Sequence, residues 1–162
     1  MAKKGIPGYL ISVILLTVVL PIASILIETM HGADPWYATA KWFVFWAIGI
    51  RLLAAGFKQV FQPAFTAEMI FNIKDKASHA IIKELGFYNI CVGLAGTLSL
   101  YLIGWLVPTA FIGGLYYGLA GIGHMSKKTD SLNEVAALVT DVLVFIVITV
   151  FLVHSFFLRN VF

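Results

Sequence analysis

The chain has 162 residues, of which 60% are hydrophobic and 12% are charged, and its formal net charge is +3. Soluble domains carry about 25% charged residues, so this composition is typical of a membrane protein, and the length is that of one domain. The Lys and Arg residues form no basic block, which argues against a nucleic-acid partner. The single cysteine cannot form an internal disulfide.

Five apolar runs are long enough to cross a lipid bilayer, which takes about 20 residues each. In chain order they are Tyr9 to Ile27, Ala38 to Lys58, Ala80 to Ile103, Thr109 to His124 and Val135 to Phe157. We expect the first run to be retained, because no small-residue cleavage site of a signal peptide follows it. The sequence therefore predicts an all-α integral membrane bundle of five transmembrane helices, in a single domain covering residues 1–162.

An additional apolar segment, at about residues 64–73, follows Pro63 and is too short to span a membrane. It predicts a short interfacial helix, and a re-entrant segment is the alternative.

The Lys and Arg residues are distributed unevenly between the two ends of the predicted bundle. With the N-terminus in the cytoplasm, Lys41 and Arg159 fall outside and Arg51 lies within the membrane. The remaining eight fall inside: Lys3, Lys4, Lys58, Lys74, Lys76, Lys83, Lys127 and Lys128. Because cytoplasmic loops are enriched in Lys and Arg, we predict an N-in, C-out orientation in the cell (inner) membrane.

Arg51 interrupts the second apolar run. An Arg at the bilayer centre costs about 2.5–3.5 kcal/mol on insertion scales and usually faces the bundle interior with a partner. At 1.5 Å per residue, Arg51 and Asp141 both lie about 12 Å from the inner boundary, and Glu84 about 8 Å. Ala55, Lys58 and Gln62 share the stripe of Arg51, provided that the helix continues as far as Gln62.

These depths allow two interpretations. In the first, an inner-leaflet polar pocket binds a ligand through Arg51, Glu84, Asn89, Tyr117 and Asp141. In the second, Arg51, Glu84 and Asp141 form a neutral network that sets the register of the helices and leaves no cavity.

Glycines recur in the third and fourth runs. Asn89 shares one face with Gly93 and Gly96, so we expect it to bond a neighbouring helix across a close contact. The Gly114-x-x-x-Gly118 motif favours close packing within the chain, and a homo-oligomer contact is the alternative.

No motif for catalysis or cofactor binding is present. The four histidines lack metal-ligand spacing, and there is no cysteine pair, haem motif or nucleotide-binding loop. We therefore expect no metal site and no catalytic residues, and a non-enzymatic role is favoured.

Several stretches resemble known membrane families. "IRLLAAGFKQVFQP" and "KELGFYNICVGLAGTLSLYL" are similar to the first two helices of DoxX-like proteins, a likeness that covers about Ala38 to Phe157 as a four-helix core. "KWFVFWAIGIRL", "QPAFTAEMIF", "KELGFYNICVGL" and "GGLYYGLAGIGH" more specifically resemble a family of small bacterial and archaeal membrane proteins of unknown function. The DoxX-like resemblance implies a quinone-linked role, with the redox chemistry supplied by a membrane enzyme partner.

Three functions follow as hypotheses. The first is a polytopic membrane protein that binds or passes a small molecule or ion at the inner-leaflet pocket. The second is a quinone-associated accessory subunit of a membrane redox complex. The third is a purely structural or assembly subunit, and the sequence does not separate the three.

Overall fold

The computed structural model describes residues 7–125 and 132–158, and the regular structure within them is helical. The helices are α1 (Pro7–Ile14, Leu15–Val19 and Leu20–Met30), α2 (Pro35–Phe43, Val44–Ile50 and Arg51–Phe61), α3 (Pro63–Phe65 and Thr66–Ile70), α4 (Ser78–Leu98), α5 (Leu106–Met125) and α6 (Leu132–Leu158). A 3-10 turn at Ile103–Trp105 precedes α5. The segments Leu15–Val19, Val44–Ile50 and Thr66–Ile70 are π-helical.

Among the described residues, five helices are long and apolar enough to cross a membrane, and they are all of these except α3. The predicted all-α fold, with five helices that are long and apolar enough to span a membrane, is therefore confirmed. The predicted third span is too long, because α4 ends at Leu98 rather than Ile103. The amides of Tyr101 and Leu102 both bond the Leu98 carbonyl in a turn that is as apolar as the helix before it, so hydropathy does not mark the helix end.

Some residues used in the orientation argument lie outside the described part of the chain. They are Lys3, Lys4, Lys127, Lys128 and Arg159.

The connection between α1 and α2 contains a glycine C-cap and an aspartate N-cap. Gly32 adopts a φ of +91°, and the amides of Gly32 and Ala33 bond the carbonyls of Thr29 and Glu28, which is the Schellman pattern. Asp34 then accepts a 2.8 Å hydrogen bond from the Tyr37 amide, and Pro35 occupies the first turn of α2. These few residues reverse the chain, so α1 and α2 run antiparallel.

Glu28 joins the same two helices through its side chain. Its carboxylate forms an ion pair with Lys41 and accepts a hydrogen bond of 2.5 Å from the Trp42 indole. One turn earlier in α1, Ser24 accepts a 3.0 Å hydrogen bond from the indole of Trp46. The N-terminal half of α2 is thus held to α1 by polar contacts.

Helices α2 and α4 pack backbone to backbone through glycines. A Cβ on Gly93 would lie 2.6 Å from the Leu53 backbone nitrogen, and one on Gly96 would lie 2.7 Å from the Gly49 Cα. Such distances exclude any side chain, so this is the close contact of small residues expected from the sequence.

Helices α5 and α6 pack through Gly114 and Gly118. A Cβ on Gly114 would lie 2.6 Å from the Ile148 side chain, and one on Gly118 would lie 2.7 Å from the Phe145 ring. The motif therefore serves packing within the chain. The homo-oligomer contact stays a prediction.

The apolar core lies in the half of the bundle where α2 and α5 begin and α6 ends. Val44, Ile48, Leu106, Ile148 and Phe151 are fully buried there and belong to one cluster. Ser99 and Thr109 are buried polar residues of this half, whereas Gln59, Asn89 and Asp141 are buried in the other half, which also contains α3.

Helix α3 occupies most of the segment predicted as a short helix. Thr66, Ala67 and Ile70 are buried, whereas Glu68 and Met69 are exposed, so one side of α3 packs on the bundle. Its placement at a membrane interface stays a prediction.

Candidate ligand-binding cavity

Arg51 lies in the middle of α2, directly after the π-helical segment Val44–Ile50, and only 11% of its side chain is exposed. Its Nη2 donates to Asp141 Oδ1 of α6 at 2.9 Å and to Thr140 Oγ1 at 3.2 Å. Asp141 is buried as well. The predicted pairing of Arg51 with an acid on another helix is therefore present, and it joins α2 to α6.

The ring of Tyr117, on α5, packs against the guanidinium of Arg51. The Arg51 Cζ lies 5.0 Å from the centroid of the Tyr117 ring, within cation–π range. The Tyr117 hydroxyl donates a 2.6 Å hydrogen bond to the Ala47 carbonyl, which lies in the π-helical segment of α2. The π-helical segment and Arg51 are thus tied to the same α5 side chain.

Asn89 of α4 is almost completely buried and forms the expected bond to a neighbouring helix. Its Nδ2 donates to Gln59 Oε1 of α2 at 2.8 Å. The bond lies beside a glycine contact, since a Cβ on Gly56 would lie 2.7 Å from the Gly86 carbonyl oxygen. The close approach of α2 and α4 therefore lets two short amide side chains meet.

A cavity of about 460 Å³ lies between these residues. All five long helices and α3 contribute to its wall, which contains four of the five residues predicted for the pocket: Arg51, Asn89, Tyr117 and Asp141. It lies in the half of the bundle where α2 and α5 end and α4 and α6 begin. Small-molecule sites usually measure about 300–1,000 Å³, so this volume is in their range.

Two polar atoms on the cavity wall are buried and have no hydrogen-bond partner among the described residues. They are Arg51 Nη1 and Asn89 Oδ1. Arg51 thus uses one terminal nitrogen for Asp141 and leaves the other unpaired, and Asn89 uses its amide nitrogen and leaves its oxygen unpaired. Two lining residues therefore carry a hydrogen-bonding atom, one charged donor and one neutral acceptor, that the described part of the chain leaves unpaired.

His124, near the end of α5, closes one side of the cavity. Its Nε2 lies 3.9 Å from Asp141 Oδ2, and its ring stacks nearly parallel on Phe71 at a centroid distance of 6.5 Å. It therefore contacts the residue that follows α3 and the acid that pairs with Arg51. Among the described residues, no group of three or more His, Cys, Asp or Glu side chains could hold a metal ion.

Glu84 does not join the cluster, and its predicted place in the pocket is wrong. Its side chain is exposed, and Glu84 is not part of the cavity wall. Glu84 precedes Asn89 by five residues, which at 3.6 residues per turn places the two about 140° apart around α4. Its predicted depth was compatible with the pocket, but its direction around the helix is not.

The polar stripe of α2 also differs from the prediction at its end. The helix ends at Phe61, and Gln62 is exposed with a non-helical backbone. Gln59 takes part instead, so the stripe on the wall is Arg51, Ala55, Lys58 and Gln59. Spacings of four, seven and eight residues from Arg51 define one helical face, and this pattern could have identified Gln59.

Three further wall residues were missed by sequence reasoning. Tyr9 and Ser12 come from α1, and Tyr116 precedes Tyr117 on α5. The two α1 residues lie in the first turns of an apolar run, and the length of that run predicts a membrane span but no binding residue. Both adjacent tyrosines of α5 line the cavity because it is wide. The spacing of residues on one helix face does not predict this width.

A family model, described as a family of unknown function (DUF6790), matches residues 8–158 of the chain. No curated protein and no solved structure matched. The family match includes α1 as well as the other four long helices. It agrees with the resemblance to an uncharacterised family, whereas the DoxX-like resemblance stays a prediction. The chain therefore belongs to this family of unknown function, DUF6790.

Proposed function

We propose that the protein is a multi-pass membrane protein that binds a small molecule in the cavity beside Arg51, in the cytoplasmic half of the membrane. The observation that carries the proposal is that Arg51, which lines a cavity of about 460 Å³, keeps a buried Nη1 without a hydrogen-bond partner among the described residues. A buried unpaired donor costs about 1–3 kcal/mol, and more when charged. A ligand that accepts from Nη1 would recover this cost.

A purely structural role is less well supported by the same contacts. A network that only sets helix register would satisfy its own donors and acceptors and would fill its own space. Here Arg51 leaves Nη1 unpaired, and Asn89 leaves Oδ1 unpaired, beside open volume.

Binding is favoured over passage because the other half of the bundle is closely packed. Ile48 and Ile148 are fully buried there, and a Cβ on Gly113 would lie 2.6 Å from the Ile48 side chain. These close contacts make a route for a small molecule through the described core residues less well supported than a binding site. Binding at a site in one half of the bundle is therefore the function that the geometry supports best.

The orientation part of the proposal rests on charge. Lys58, Lys74, Lys76 and Lys83 lie at the end of the bundle that contains the cavity, and Lys41 lies on the N-terminal half of α2, towards the opposite end. The excess of lysines near the cavity supports a cytoplasmic position for that end.

A quinone is the second candidate ligand. The observation that favours it is the aromatic part of the wall, where the rings of Phe65, Phe71 and Tyr116 would pack on a flat head group. The DoxX-like resemblance implies the same ligand, held for a redox enzyme partner.

Native mass spectrometry of the detergent-purified protein tests the proposal, with co-purified molecules identified after extraction. We expect a molecule bound at one copy per chain. A Gly123→Leu variant should reduce its occupancy, because Gly123 lines the cavity and a Cβ there meets no atom within 4 Å, which leaves room for the larger side chain.

Gly104→Leu is the matched control. Gly104 also has no atom within 4 Å of an added Cβ, but it lies before α5 and away from the cavity, so occupancy should be unchanged. A wild-type protein without any bound molecule, and equal spectra for both variants, would contradict the proposal and favour a structural role.

A further inference from the structure

We infer that the ligand of the cavity is an amphipathic monoanion, a single negatively charged group on an apolar body, with the anionic group bound by Arg51 Nη1. This inference rests on the proposed function and adds the chemical class of the ligand. A free long-chain carboxylate and a monoanionic lipid head group share this chemistry.

Arg51 keeps one buried guanidinium nitrogen without a hydrogen-bond partner among the described residues. Arg51 turns Nη2 to Asp141 and Thr140, and the ring of Tyr117 lies against the guanidinium, so the side chain is held on two sides. Nη1 is the terminal guanidinium nitrogen that remains for a ligand. A carboxylate or phosphate oxygen is the natural partner, since bonds from a guanidinium to an anion are roughly twice as strong as neutral ones.

The charged side chains on the cavity wall do not balance one another. The lining residues with formal charges are Arg51, Lys58 and Asp141, besides His124. Asp141 compensates Arg51, and Lys58 adds one positive charge at an exposed position, with its Nζ 3.4 Å from the centroid of the Phe65 ring. A bound monoanion would balance the wall, whereas a cation would add to an excess of the same sign.

Much of the remaining wall is apolar. Val13 and Leu16 of α1, Leu52 of α2 and Ile70 of α3 line the same volume as the polar groups. An inorganic anion would leave these side chains without contacts. An anion with a hydrocarbon body would cover them and gain about 25 cal/mol for each Å² of apolar surface removed from water.

The test measures binding of matched probes to the full chain in a neutral detergent, by native mass spectrometry and by the shift of the thermal unfolding midpoint. Dodecanoate is the anionic probe, dodecan-1-ol is its uncharged match, and decylubiquinone represents the quinone class. We expect dodecanoate to bind at least about tenfold more tightly than the alcohol, the factor expected of one charge-assisted bond.

Two variants separate the role of Nη1 from that of net charge. The double variant R51Q/D141N removes the ion pair without leaving either charge uncompensated, and it keeps the net charge of the wall. Its preference for dodecanoate over dodecan-1-ol should fall to the roughly two- to fivefold that Lys58 contributes. Lys58→Gln should weaken dodecanoate binding by roughly two- to fivefold. Lys74→Gln is the control and should leave dodecanoate binding unchanged, because Lys74 is exposed and lies away from the cavity.

Competition with dioleoylphosphatidylglycerol identifies the source of the anion. If this lipid displaces dodecanoate and the phosphatidylcholine of the same chains does not, the site takes a lipid head group. If neither displaces it, the site takes a free acid. Either result supports the inferred class.

Other results would overturn the inference in distinguishable ways. Equal binding of dodecanoate and dodecan-1-ol, or tighter binding of decylubiquinone, contradicts the anionic ligand. If Gly123→Leu reduces the binding of dodecan-1-ol or decylubiquinone in such a case, the proposed function of the cavity still holds. If no probe binds and no molecule co-purifies with the wild type, the proposed function fails together with the inference.

Discussion

Arg51 and Asp141 are 90 residues apart in the chain, and Arg51 Nη2 donates to Asp141 Oδ1 at 2.9 Å with both side chains largely buried. The pair joins the second and the last long helix beside the cavity. Each charge compensates the other, because an unpaired charge at this buried position would be strongly destabilising.

Replacing only one member of this pair should be strongly destabilising. Arg51→Leu leaves the Asp141 carboxylate buried without its cation, and we expect a loss of about 3–5 kcal/mol in the free energy of unfolding. In the double variant Arg51→Leu/Asp141→Leu no charge is left behind, so most of this loss should be recovered. Unfolding by SDS titration in mixed micelles measures both values.

Glu84→Gln provides the control for this experiment. Glu84 is exposed and lies away from the pair, so its neutralisation should change the free energy of unfolding by no more than about 0.5 kcal/mol. Equal stability of the Arg51→Leu variant and the wild type would show that the pair does not exist as described.

The hydroxyl of Tyr117 should contribute to stability separately from its ring. Tyr117→Phe keeps the ring beside Arg51 but removes the bond to the Ala47 carbonyl, and we expect a cost of about 1–3 kcal/mol from that buried carbonyl. Tyr101→Phe is the control, because Tyr101 is 82% exposed. Thermal unfolding of both variants makes the comparison, and equal midpoints would argue against the Tyr117 bond.

The contact between α2 and α4 should not tolerate even one methyl group at Gly93. The added Cβ would lie 2.6 Å from the backbone nitrogen of Leu53, which cannot move away as a flexible side chain could. We expect Gly93→Ala to cost about 1–3 kcal/mol, as overpacking does in other cores. Gly104→Ala, with no atom within 4 Å, should leave the unfolding midpoint unchanged, and a neutral Gly93→Ala would rule out this close approach.

The N-in orientation predicts which loops can be labelled from outside the cell. In a Cys91→Ser background, a cysteine at Lys74 should be protected from a membrane-impermeant maleimide in intact cells, and one at Gly104 should react. Cys91 is replaced because it is exposed on α4. Both positions should react after the membrane is permeabilised, and the reverse pattern in intact cells would invert the orientation.

The number of spans and the depth of the polar residues were predictable from the sequence. Apolar runs of about 20 residues specify helices that can cross a bilayer, and this predicted α1, α2, α4, α5 and α6. A helix rises by a constant 1.5 Å per residue, so Arg51 and Asp141 could be placed at one depth before their contact was known. The bond made by Asn89 was predictable for a similar reason, since it shares a helix face with the glycines of a close contact.

Only the tertiary structure decided which side of each helix meets which neighbour. Glu84 has a suitable depth but points away from the cavity, whereas Gln59 and Tyr116 line it. Likewise, Ile148 and Phe145 of α6 are the side chains that pack against Gly114 and Gly118. Depth follows from one helix alone, but the rotation and the partner of a helix depend on the packing of all its neighbours, which no single segment contains.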